Sequence, residues 1–156
     1  MHAAIHPGET GGKHKRVTDR SATVSETRAV IEEFFRCARA GEFDRLGEMF
    51  ADQVDWSIYG ADEVPWTGRR STREEAAAFF RDLPGYLEAE QLTVNRIIVE
   101  GADAVALGHM RQRVRATGEM FVSPFAFHMT VLDGRITRYI PYEDSLALAR
   151  ACRIVN

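Results

Sequence analysis

The stretch "FAFHMTVLDGRITRYIPYED", residues 125–144, holds the side chains best suited to proton chemistry. His128 sits among aromatic and methyl-bearing neighbours, and an imidazole with a reference pKa of about 6.5 serves as acid or base near neutrality. Glu143 could orient that ring or act as its partner base, and Tyr139 offers a phenolic donor to a substrate oxygen. The plainer reading of His128 is a core histidine whose ring nitrogens are satisfied by neighbours. No nucleophile with a neighbouring base, no phosphate-cradling loop and no metal-ligand triad accompanies these residues. Covalent, phosphoryl-transfer and metal mechanisms therefore leave the leading set, and the expectation is acid/base chemistry with no cofactor and no metal.

These groups need elements to hold them. "TVSETRAVIEEFFRCARAG" opens with a capping-box pattern, Thr23 to Glu26, places Val30, Ile31, Phe34, Phe35 and Ala38 on one helical face, and stops at Gly41. A short helix at about 43–50 and a strand in "QVDWSIYG" follow, then the loop "ADEVPWTGRR". Ser71 and Glu74 form a second capping box, opening a helix that Pro84 and Gly85 end. Four strand-like runs come next, at about 91–100, 103–115, 121–132 and 135–142, joined by short turns that favour antiparallel pairing. Asp144 is placed to cap a closing helix, "SLALARAC".

The order predicts a single α+β domain over residues 23–156, a curved mixed or antiparallel sheet wrapped around helices into a cone-shaped barrel. A cone of this kind has an apolar interior with one open mouth, where small molecules bind. Residues 1–22 carry hardly any large apolar side chain and read as a flexible tail. A formal net charge of -3 gives no reason to expect nucleic acid. No apolar run nears the roughly 20 residues needed to cross a bilayer, and the N-terminal stretch lacks a secretory pattern. With Cys37 and Cys152 read as free thiols, the expected location is the cytoplasm.

The runs "AGEFDRLGEMFADQVDW", "GRRSTREEAAAFF" and "FHMTVLDGRITRY" resemble the ketosteroid-isomerase and SnoaL-like polyketide cyclase branch of the nuclear-transport-factor-like superfamily, over about residues 26–150. The resemblance specifies the fold better than the reaction, because that cone hosts isomerases, cyclases, dehydratases, epoxide hydrolases and binding modules. It implies that Ile58 stands where the isomerase keeps its general base, and Phe34 and Phe80 where it keeps pocket tyrosines. It also implies that His128 takes the place of an acid on the penultimate strand and points into the cone.

With His128 inward, alternation puts Pro124, Ala126 and Thr130 on the same face and Phe125, Phe127 and Met129 outside, where the superfamily's use of this sheet implies a homodimer. On the preceding strand, Met110 and Gln112 are expected inward and His109 outward, a choice that a one-residue change in the "RATGE" turn would reverse. The expected lining is Phe34, Trp56, Ile58, Trp66, Phe80, Met110, Gln112 and Ala126, with Tyr59 and Asp62 near the mouth. Asp144 and His109 are further acid/base candidates. The expected function is acid/base cyclisation or isomerisation of a hydrophobic, polyketide-like small molecule. A dehydratase or epoxide hydrolase using His109 and His128, and a non-catalytic ligand-binding dimer, are the alternatives.

Overall fold

The structure, a computed structural model, describes residues 15–156, with side chains described from residue 23. The tail expected at residues 1–22 lies outside the described residues as far as residue 14, and at Lys15 the chain is already helical. Helix α1 spans Lys15–Ala40, so Thr23 and Glu26 lie within it and not at its start. Ile31, Phe34, Phe35 and Cys37 form its buried stripe, at the spacing of three and four residues that the sequence shows.

Helix α2 (Phe43–Glu48) leads into β1 (Phe50–Ile58). A strand that sequence reasoning assigned to a loop follows: β2 (Gly68–Thr72) pairs antiparallel with β1 and forms one sheet edge. Helix α3 (Arg73–Tyr86) begins one residue later than expected. The Thr72 hydroxyl accepts from Glu75 N at 3.2 Å, and Glu75 Oε1 accepts from Ser71 N at 3.3 Å. The capping pair is therefore Thr72 and Glu75, because "STREE" contains two overlapping capping patterns. Pro84 lies within the last turn and the helix continues to Tyr86, since proline removes only one donor there.

Strands β3 (Leu87–Glu100), β4 (Asp103–Val114), β5 (Met120–Leu132) and β6 (Arg135–Glu143) form an antiparallel meander, closed by α4 (Ser145–Ala151). The sheet order is β2-β1-β6-β5-β4-β3, with β1 parallel to β6. Register shifts in β3 and between Thr130 and Val131 bend this sheet around α1 and α3. The result is a curved six-stranded sheet with helices in its hollow, the α+β cone expected. Asp144 Oδ1 accepts from Ala147 N at 2.9 Å and caps α4.

One register decides which side chains meet the hollow. The β4–β5 turn, Arg115–Gly118, is closed by Val114 N to Glu119 O at 2.9 Å, with Gly118 at φ +74°. Met110 therefore faces Ser123, Gly108 faces Phe125 and Ala106 faces Phe127. Residues directly opposite share a face, so inward Met110 brings odd-numbered residues of β5 inward with it. Phe121, Phe125, Phe127, Met129 and Val131 are accordingly buried. Burying five such side chains is worth on the order of 10 kcal/mol, and a strand turned the other way would expose them to bury Ala126, His128 and Thr130 instead, with Val122 and Leu132 recovering only part of the loss. The expected orientation of β5 is thus reversed: His128 and Ala126 lie on the outer face, and Phe125, Phe127 and Met129 form core, not an exposed interface.

Candidate functional site

A cavity of about 520 Å³ opens between α1, α3 and the concave sheet, within the usual range for small-molecule sites. Its interior wall includes Phe34, Ile58, Trp66, Phe80, Met110 and Tyr139, all buried. Helix α1 supplies Phe34 because that position lies on its apolar stripe, and α3 supplies Phe79 and Phe80 for the same reason. The strands supply Ile58, Met110 and Gln112 by alternation.

Glu143 and Tyr139 enter from β6. Opposite Phe125 and Met129 respectively, they share the inward face of β5's buried residues. Glu143 is partly accessible through the cavity it lines and is otherwise enclosed by protein, with no ion-pair or hydrogen-bond partner among the described residues. Burial destabilises its charged form and pushes its pKa from 4.5 to about 7. Tyr139 is held neutral far above neutrality, first by burial and then by the charge of Glu143, while the Arg70 cation acts in the opposite sense. Its ring lies 4.3 Å from that of Trp56 and 5.5 Å from that of Phe34, which fixes the phenol in place. A carboxyl near its midpoint and a neutral phenol in one apolar hollow can transfer a proton and donate a hydrogen bond to an oxygen that gains charge.

The remaining expectations divide plainly. Phe34, Ile58, Trp66, Phe80, Met110 and Gln112 line the cavity with Glu143 and Tyr139. Trp56 does not: fully buried behind this wall, it packs against Phe50, Phe79 and Phe80, and its Nε1 has no hydrogen-bond partner. Tyr59 is 57% exposed and stacks on Tyr142, and Asp62 lies on an exposed loop. Asp144 is engaged as the α4 cap. On the outer face, His109 Nε2 lies 3.3 Å from Gln91 Nε2.

His128 is separated from Glu143 by the sheet itself, so Glu143 cannot orient it. Its Nε2 lies 3.2 Å from Asp103 Oδ1, which also accepts from the Thr130 hydroxyl at 2.6 Å. That hydroxyl, burial and His128 act on Asp103 together, with a net lowering of its pKa. Phe127, Leu83 and Arg39 line the cavity without having been expected there. The apolar count along β5 is the signal that would have found Phe127. Among the described residues, no group of three or more His, Cys, Asp or Glu side chains is arranged to hold a metal ion. No described helix is long and apolar enough to cross a membrane.

Residues 31–139 match the model of the SnoaL-like domain family. No curated protein matches the chain. Among solved structures, an NTF2-like protein from Burkholderia xenovorans LB400 is 26% identical, with a TM-score of 0.73 over 82% of this chain and 96% of that one. A protein from Xanthomonas campestris pv. campestris, provisionally named a polyketide cyclase, is 17% identical, with a TM-score of 0.66 over 83% of this chain and 98% of its own. An LEH-like epoxide hydrolase from M. tuberculosis is 19% identical, with a TM-score of 0.67 over 82% and 90%. Below 25% identity such likeness speaks for the fold alone.

Proposed function

The chain belongs to the SnoaL-like domain family, and from that premise we propose that it is a cofactor-independent acid/base enzyme acting on a hydrophobic, polyketide-like small molecule. The observation that carries this reading is the unpaired carboxyl of Glu143 in the wall of an apolar cavity, with its pKa pushed up to about 7. Ionised Glu143 takes a proton from a carbon beside a substrate carbonyl, and the electron pair moves onto the carbonyl oxygen. The Tyr139 hydroxyl, with the Gln112 amide, donates to that enolate oxygen. Neutral Glu143 then returns the proton at another carbon, which is isomerisation, or the enolate carbon attacks a second carbonyl and Glu143 protonates the new alkoxide, which is cyclisation. Positioned proton transfer of this kind is worth about 10²–10⁴ in rate.

Deuterium exchange at the acidic carbon of hydrophobic 1,3-dicarbonyl compounds tests the step without knowledge of the product. The wild type accelerates exchange and Glu143→Gln loses that acceleration while still binding. Equal exchange by the two proteins would refute the assignment, and tight binding without exchange by the wild type would favour a ligand carrier.

The same reading includes a homodimer through the outer sheet face, now built from Val105, Leu107, Ala126 and Ile140 with the exposed Ile98 and Tyr142. Sedimentation at twice the 17.6 kDa chain mass is expected, and a monomer at high concentration would remove the dimer from the proposal. A cytoplasmic location is supported by the free thiols of Cys37 and Cys152, and recovery in a secreted fraction would contradict it.

A further inference from the structure

The charged and polar lining residues that remain exposed mark the mouth of the cavity: Arg39 from the last turn of α1, Glu88, Glu90 and Gln91 from β3, and Arg115 just beyond β4. Their formal charges balance, but their pairing does not. Arg115 approaches Glu88 at 3.7 Å and donates to Pro84 O at 2.7 Å. Glu90 accepts from Arg111 at 3.1 Å and from Arg113 at 3.2 Å. Glu88 and Glu90 are thus both engaged, Glu90 by arginines that stand outside the cavity lining. Arg39 is the one left over, with neither an ion pair nor a hydrogen bond to any described residue. The C-terminal turn of a helix favours a cation, which accounts for a basic residue at this position but not for its overhanging a ligand-sized hollow.

We propose that the ligand of this cavity is an amphiphilic carboxylate, whose apolar body fills the interior and whose carboxylate pairs with Arg39 at the mouth. The proposal rests on the cavity being the ligand site described above. A guanidinium presents a planar fork of donors that matches a carboxylate with two parallel hydrogen bonds. Arg39, which no carboxylate of the described residues pairs with, offers an anion at the entrance an unneutralised positive charge. The interior wall of Phe34, Ile58, Phe80 and Met110 offers the other end of such a molecule an apolar surface.

The test compares naphthylacetate with its neutral isostere naphthylacetamide, by titration calorimetry on the full chain. A pH of about 6 keeps Glu143 mostly neutral, so that it does not repel the acid. The wild type is expected to bind the acid about tenfold more tightly than the amide, an advantage that shrinks in high salt. Arg39→Gln should bind the two alike, with the amide's affinity unchanged, which also shows that the variant is folded. Equal affinities in the wild type overturn the carboxylate, an acid preference that survives in Arg39→Gln overturns its pairing with Arg39, and either result leaves the cavity a ligand site. Failure of the wild type to bind either compound overturns both.

Discussion

Replacing Glu143 with glutamine should stabilise the protein, by an amount that grows with pH. Burial raises the pKa of Glu143 from 4.5 to about 7 in the folded state, whereas the unfolded chain keeps the ordinary value. Between those two values the folded protein holds a proton that the unfolded chain has released. Stability contributed by this group is therefore complete below the unfolded pKa and is lost as pH rises through the folded one. At about 1.4 kcal/mol per pKa unit, ionised Glu143 makes the wild type about 3 kcal/mol less stable at pH 8 than it is when the group is neutral. Glutamine is neutral throughout and escapes the penalty.

For a domain of this size, 1 kcal/mol moves the melting temperature by about 2–4 °C, so the gap between the proteins should reach about 6–12 °C at pH 8. Thermal unfolding of both proteins from about pH 5 to pH 8 measures it, and every other titrating group cancels in the difference. The same proton should govern the acidic limb of the exchange rate, with a midpoint near 7. Parallel melting curves with a constant gap would refute the reasoning, because they would mean that the carboxyl is solvated and titrates normally. A gap that widens toward acid would reverse its sign and refute it equally.

His128→Gln should leave deuterium exchange and cavity binding at wild-type values, since the ring lies across the sheet from Glu143 and its part-exposed pairing with Asp103 is worth under about 1 kcal/mol; a large loss of exchange would return the chemistry to the outer face. Gly108→Ala should destabilise by about 1–3 kcal/mol or more in urea unfolding, because a Cβ there collides with the Thr93 carbonyl oxygen and comes within 2.6 Å of Phe125 Cζ. A neutral result would mean that β3 and β5 yield easily around β4. Asp144→Ala should lose about 1 kcal/mol through the α4 cap and Asp144→Asn much less, and equal losses would show that the bond to Ala147 is not what matters.

The fold was legible because it rests on signals that reinforce one another along the chain. The stripe of Ile31, Phe34 and Phe35, the cap at Asp144 and four strand runs separated by short turns each point to one element, and the elements can bury their apolar faces in few ways. Strand β2 escaped notice because "GRRST" at a sheet edge needs no apolar alternation; its pairing with β1 supplies the reason for its existence. The site was half legible for a related reason. Glu143 and Tyr139 could be placed on one face of β6 by alternation alone, but the face of β5 depended on a turn whose length sets parity. Family likeness assigned His128 to an inherited slot, and that likeness conflicted with a stronger physical signal in the same strand. Five large apolar residues at odd positions outweigh Met120, Val122, Leu132 and one imidazole at even positions, a comparison available before any coordinates. What no pattern in the sequence could reveal is that Glu143 stands in the cavity wall without a cation, since the pKa of a carboxyl is set by its surroundings, here a wall brought together from α1, α2, α3 and five strands. The ionisable group that this cone offers to a ligand therefore depends on which polar residues the sheet's register leaves facing apolar groups, and in this chain the register leaves Glu143 beside Tyr139.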